Sequence, residues 1–388
     1  MDIEVRTDSS HDAASGAKKS LGSLTLLAYY NPYPSARIHH YCNGQWYLLV
    51  LEQLLKQGFL DHAEAWFVSD QPMEFVEHGV TVRCFENFEL MAAASRGTDV
   101  LWVRGKCKPY LDVLRRMPAR MSVYYPASKR FLSREWNHFD AVLVDDVRQI
   151  DPVTRLGAAR SVHRVIKTTD PQIYRPIDGV EKLYDLCMIG GMQISRKNFP
   201  ALVRVLRADS TLSAVVVGKQ TPTLVAELKA TGADIRFIEF CDREELNHVM
   251  NQSRIGFVPS LMDAAPRVIL EFMSAGVPVL LNSAILGGRD YITQETGVLA
   301  AEGDFVRTIH RIRDNAVNVN PRKGFVDNFS PARAGKHLGT VLTQTMQLSS
   351  RPCPAPPPGF VRRLLSRPIL LRRKLARCWQ EIERITPG

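Results

Sequence analysis

From about residue 21, short aliphatic or β-branched runs alternate with longer stretches whose apolar positions recur at helical spacing, the pattern of parallel strands covered by helices on both faces. "SLTLLAYY" predicts a first strand and "QWYLLVLEQLLKQG" a helix closed by Gly58. "EAWFVS", "VTVRCF", "DVLWVRG", "RMSVYY" and "DAVLVDD" predict further strands, and this series ends near residue 165. A second series follows, with strands "DLCMIGG", "LSAVVVG", "IRFIEF" and "IGFVPS" between helices "NFPALVRVLRAD", "TLVAELKATG" and "REELNHVMNQ". Its strand runs are short and almost continuously apolar, as strands buried on both faces require. The fold class is therefore α/β, with two Rossmann-like doubly wound domains expected at 21–165 and 183–330. Between them "KTTDPQIYRP", with Pro171 and Pro176 and little periodicity, marks 166–182 as the connection.

Composition agrees with two domains: 388 residues with 45% hydrophobic content exceed one ordinary core. Seven cysteines at irregular spacing, without a CxxC pair, indicate neither a zinc site nor a disulfide framework, so a reducing compartment is expected. Residues 1–20 are polar and mixed in charge and are expected to be disordered. No apolar run approaches the ~18 residues that span a bilayer, so a soluble, cytoplasmic protein is expected. The net charge of +10 does not point to nucleic acid, because residues 351–388 hold nine Lys/Arg against two Glu and so carry +7 of it. Within that tail "PCPAPPP" reads as a stiff spacer. Leu371, Leu375, Cys378, Ile382 and Ile385 then form the apolar face of a basic amphipathic helix, suited either to an anionic membrane surface or to packing on protein.

The candidate chemistry lies in "PSLMDAAPRVILEFMSAGVPVLL", residues 259–281. Ligands of parallel α/β sheets bind beyond the carboxyl ends of the strands, where loops lead into helix N-termini. Asp263 sits in such a loop, and Pro266 suits the first turn of the helix that follows. The amides of 264–268 and the helix dipole offer an anion site for a diphosphate, while Glu271, further along, can accept from a sugar diol. Such an arrangement describes a nucleotide-sugar site, although an Asp before a proline-started helix also serves simply as a cap, and a lone Glu as a buried hydrogen-bonded group.

The passage resembles the signature of the retaining GT-B glycosyltransferases, often called glycosyl transferases group 1, at Pro259, Ser260, Pro266, Glu271, Met273, Gly276, Pro278 and Val279. "TTDPQIYRP", "MIGGMQISRKNF", "AVVVGKQ" and "GGRDYI…TGVLA" extend the resemblance over about 165–300. It implies a GT-B fold with a central cleft, a nucleotide-sugar donor (UDP- or GDP-linked), a glycan or lipid-linked acceptor, and no metal or other cofactor. By the same resemblance Glu271 binds the ribose, Lys197 contacts the diphosphate, Asp263 approaches the donor sugar, and Gly190, Ala264, Ala265 and Arg267 line the donor site. The segment 331–350 would be the helix that folds back on the first domain. On the acceptor side Arg37, His39 and His40 lie in the loop "NPYPSARIHHYCNG", and Arg104 stands where the family has a histidine.

This sequence departs from the family in three places. The diphosphate arginine is replaced by Gly191, the first glutamate by Asp263, and the glycine after it by Ala264. Arg267 and Arg196 are the candidate replacement cations, and solvated surface positions remain open for both. Two functions follow as expectations: a glycosyltransferase of cell-surface polysaccharide or glycolipid synthesis, peripheral to the membrane, or a catalytically weakened subunit that binds nucleotide-sugar or glycan. Asp145 and Asp146 in "LVDD" are not assigned to a metal.

Overall fold

The computed structural model describes residues 20–28, 35–105, 108–126, 139–155, 161–263, 265–315 and 317–348. The first of two sheets contains β1 Ser23–Ala28, β2 His62–Val68, β3 Met73–Glu77, β4 Val80–Phe85, β5 Thr98–Arg104, β6 Ala119–Tyr125, β7 Ala141–Val144 and β8 Ser161–Arg164, in the order β3-β4-β2-β1-β5-β6-β7-β8. Only the β3–β4 hairpin is antiparallel. The second contains β9 Tyr184–Ile189, β10 Ala214–Val217, β11 Ile235–Ile238, β12 Ser253–Val258, β13 Val279–Asn282 and β14 Gly297–Ala300. It is parallel throughout, in the order β11-β10-β9-β12-β13-β14.

The expected fold class is met, and its physical basis is visible in the strands. β7, β10 and β13 are buried along their whole length, because helices cover both faces of each sheet. β9 runs between β10 and β12, with Leu186 opposite Ala214 on one side and Ile255 on the other. Chain order reverses between β1 and β5 in the first sheet and between β9 and β12 in the second, and at such switch points a crevice opens at the carboxyl edge.

Three local expectations are corrected. The segment treated as a loop after β1 is helical from Ser35 to Asn43, turning Ile38 and Cys42, one helical turn apart, into the first core. β3 was not anticipated: in Met73–Glu77 exposed Glu74 and Val76 alternate with half-buried Met73, Phe75 and Glu77, the signature of an edge strand with one face in water. β8 was also missed, having four residues, Ser-Val-His-Arg, none fully buried.

The helix Pro331–Leu348 lies against the first domain, where Ala334, Leu338, Val341 and Leu342 join Leu51, Leu54 and Phe59 in one cluster. Their spacing makes a single apolar stripe. The sequence-defined N-terminus 1–19, the spacer and the basic tail lie outside the described residues, and among the described ones no helix is long and apolar enough to cross a membrane. A methyl group on Gly339 would meet the Phe59 ring at 2.5 Å, so the glycine sets the depth of docking. Gly339→Ala, which would stabilise an exposed helix by about 0.5–1 kcal/mol, is therefore expected to destabilise this protein by about 1–3 kcal/mol. The urea midpoint measures the sign.

Candidate active site

Two loops meet at the switch point of the second sheet. After β9 the chain turns at Gly190, whose φ of +149° is open to glycine. A side chain there would meet the Lys197 stem at 3.2 Å, so Lys197 lies directly across this glycine. After β12 the chain runs irregularly through 259–263, and its carbonyls are held from several directions. Pro259 accepts from the side-chain amides of Asn198 (3.1 Å) and Asn282 (3.2 Å), Leu261 from the Leu286 amide (2.9 Å), and Asp263 from the Gly287 amide (3.0 Å). The Leu261 amide donates to the Arg196 carbonyl at 3.2 Å. These bonds bring the Asp263 carboxylate to 3.0 Å from Lys197 Nζ and 3.7 Å from Arg196 Nε.

Glu271 follows on the helix Arg267–Ser274, in which Pro266 occupies the capping position rather than the first turn. Its side chain is half-buried, and burial raises its pKa above the ordinary 4.5, while Arg267, Lys197 and Arg243 oppose that rise. A carboxylate in this setting is short of hydrogen-bond donors and surrounded by positive charge. Hydroxyl donors of a ligand would satisfy it, and anionic groups of the same ligand would find the cations beside it. Tyr174 is buried in the same cluster, its phenol pushed up by burial and by the charge of Glu271.

The other residues marked in the sequence are placed less uniformly. Arg267 is exposed and donates to the Gly44 carbonyl at 3.0 Å, across to the first domain, so of the two candidate cations it is Arg196 that stands beside Asp263 and Lys197. Ala265 is buried and Ala264 lies outside the described residues. On the acceptor side Arg37 is exposed. His39 packs against Phe75 with ring centroids 3.8 Å apart and the rings tilted by 38°, and borders an open pocket of about 340 Å³ with Asn43, Glu77, Ile173, Asp242 and Arg243. The His40 side chain lies outside the described set. The Arg104 guanidinium, half-buried at the end of β5, lies 4.9 Å over the Tyr47 ring. Asp145 is engaged by Tyr125 and Lys167, and Asp146 by Arg148.

Sequence reasoning missed Arg243, which opens the helix Arg243–Asn251 beside Glu271 and donates to Asn43 Oδ1 at 3.2 Å. Its only sequence signal is the capping box of Asp242 and Glu245 that fixes the start of that helix.

Residues 184–315 match the family model described as Glycosyl transferases group 1. The second domain is a group 1 glycosyltransferase domain. Solved structures extend the likeness to the whole fold. Sucrose-phosphate synthase from Thermosynechococcus elongatus is 16% identical, with 84% of this chain and 100% of that one covered at a TM-score of 0.62. The Anabaena protein HepE, solved with UDP and glucose, is 15% identical, with 83% and 99% covered at 0.60. The trehalose-6-phosphate synthase OtsA is 10% identical, with 84% and 99% covered at 0.60. No curated protein matches the chain in sequence. The chain thus has the GT-B architecture, and its Lys197, Asp263 and Glu271 converge on the switch-point crevice.

The raised pKa of Glu271 has a signed consequence. The folded state holds this proton more tightly than the unfolded chain, so Glu271 costs stability as pH rises through 4.5 and through its higher folded value. Glu271→Gln removes that cost. Its melting temperature is expected to exceed the parent's at pH 7, with the difference shrinking toward pH 4. A difference independent of pH contradicts the burial account.

Proposed function

We propose that this glycosyltransferase moves a sugar from a UDP- or GDP-linked donor to a glycan or glycolipid acceptor, with retention at the anomeric carbon, in cell-surface polysaccharide or glycolipid synthesis. The observation that carries the reading is the meeting of Lys197 and Asp263, 3.0 Å apart on loops from the two strands flanking the switch point, with Glu271 among cations on the adjoining helix. In this reading Glu271 accepts from the ribose hydroxyls. Lys197 and Arg196 neutralise the diphosphate, Arg196 substituting for the arginine that Gly191 replaces. Asp263 faces the donor sugar. The charge that develops on the leaving diphosphate is met by fixed cations and backbone amides, without a requirement for metal. The acceptor enters beside His39, where the Phe75 ring and the polar groups of Asn43 and Glu77 suit a polyhydroxylated molecule.

A second reading, a binding subunit with little turnover, is favoured by Gly191 and by the shortened Asp263. The two separate in a panel of nucleoside diphosphates and their sugars, scored first by thermal shift and then by release of nucleoside diphosphate. A transferase shows both stabilisation and turnover, whereas a binding subunit shows stabilisation alone. Lys197→Ala is expected to lower kcat by about 10²–10³, the loss typical of removing one group that stabilises transition-state charge. Asp263→Asn should lose turnover while keeping affinity for the nucleoside diphosphate.

The tail 351–388 fits a membrane-facing role, with nine Lys/Arg and an apolar Leu/Ile/Trp face in the same segment. The full chain is expected to sediment with anionic vesicles at low salt, and a chain ending at 350 to remain in solution with unchanged nucleotide binding. Equal sedimentation of both chains excludes the tail as the anchor.

A further inference from the structure

The "LVDD" segment that follows β7 has a use that no metal assignment would give it. Asp145 accepts from the Tyr125 hydroxyl at 2.6 Å and pairs with Lys167 Nζ at 2.8 Å, with Asp145 only 5% and Lys167 9% exposed as side chains. Lys167 is the second residue of the inter-domain connection, and its Nζ also lies 3.4 Å from the Ala265 carbonyl, just before the helix that carries Glu271. Next to it Arg148, paired with Asp146 at 2.8 Å, donates to the Leu286 carbonyl at 2.9 Å. The Leu286 and Gly287 amides in turn hold the carbonyls of Leu261 and Asp263. The Val147 amide donates to Asp290 at 3.1 Å, and Arg164 from β8 approaches the same carboxylate at 3.7 Å. One stretch of the first domain, 145–148, therefore reaches the Asp263 loop through Leu286 and Gly287 and, by way of Lys167, through Ala265.

We propose that the buried Asp145–Lys167 pair is a positioning element for sugar transfer, fixing the loop of Asp263 and the start of the Glu271 helix against the first domain. The proposal rests on the donor-site reading above. Lys167 touches neither donor nor acceptor in that reading; it acts through Ala265. An ionic pair is suited to the task because removing one partner strands the other charge in a buried place, so the two segments resist separation. It is a different matter from stability alone, since a well-packed neutral pair would hold the fold equally well but would lose the bond that aims the Ala265 carbonyl.

The test compares Lys167→Met, the double variant Asp145→Asn/Lys167→Met, and Lys167→Gln, which keeps a donor at the same position. Removing both charges should restore most of the melting temperature that Lys167→Met loses. A purely structural pair predicts that activity returns with it. The positioning role predicts a kcat that stays at least about tenfold low while affinity for the nucleoside diphosphate remains near the parent's, with Lys167→Gln in between. Hydrogen exchange reads the same device without turnover. In the double variant the Leu286 and Gly287 amides should exchange at least about tenfold faster, with the Gly218 amide, bonded within the sheet region to Ile238, unchanged. Should the double variant not fold, Lys167→Gln carries both readouts, and loss of both kcat and amide protection supports the proposal. Parent-like kcat or parent-like exchange at those two amides overturns it. If the parent turns over no sugar donor, the transferase reading fails, and the exchange measurement alone decides on the positioning element.

Discussion

Residues 259–263 belong to no strand or helix, so their position depends on hydrogen bonds that reach their backbone from segments far away in sequence. Asn198 and Asn282 hold the Pro259 carbonyl, the Arg196 carbonyl holds the Leu261 amide, and the amides of Leu286 and Gly287 close the other end. Buried backbone groups without a partner are costly, and here each bond that avoids this cost also places a functional group. Asn198 adopts a left-handed conformation, with φ 56°, that asparagine tolerates and most residues do not. Its neighbour Lys197 is aimed across Gly190 as a result. The candidate site is thus a by-product of satisfying an irregular loop at the place in the second sheet where neighbouring loops diverge.

The charges around that loop explain how the site accommodates its departures from the group 1 pattern. Replacing glutamate by Asp263 moves a carboxylate closer to its own backbone, yet it still reaches Lys197 at 3.0 Å because Arg196 and Lys197 are drawn over it by the turn after Gly190. Gly191 leaves the site one cation poorer at that position, while Arg196, Lys197, Arg243 and Arg267 all remain within the same region. A phosphate-binding field is set by the sum of nearby charges as well as by any single one, which makes relocation of a cation chemically plausible.

Much of the second domain was legible because its strands are buried on both faces and its loops carry a family pattern. The runs in "AVVVG" and "IGFVPS" leave no alternation to mislead, and β10 and β12 form there. The first domain was legible only where the same physics applied. β3 escaped because its exposed face mixes Glu74 with the apolar Val76, and the helix Ser35–Asn43 because among its described side chains only Ile38 and Cys42 are buried. Arg267 could be placed on its helix from sequence, but not across the cleft at Gly44, 223 residues away. Contacts of that separation leave no periodic trace. For the same reason the pairing of Asp145 with Lys167 could not be seen, although both residues sit in segments that were correctly located.

The two sides of the cleft are held by interactions of different kinds. On one side Asp145, Lys167, Asp146 and Arg148 form ion pairs whose carboxylates are almost fully buried. Breaking a buried pair by loss of one partner costs about 3–5 kcal/mol. On the other side Arg243 and Arg267 reach Asn43 and the Gly44 carbonyl through hydrogen bonds exposed to water, each worth at most about 1 kcal/mol. The Lys167 and Arg148 ends of those pairs reach the Ala265 and Leu286 carbonyls of the second domain, so burial shields the cross-domain contacts on that side, whereas the arginine contacts lie open to water.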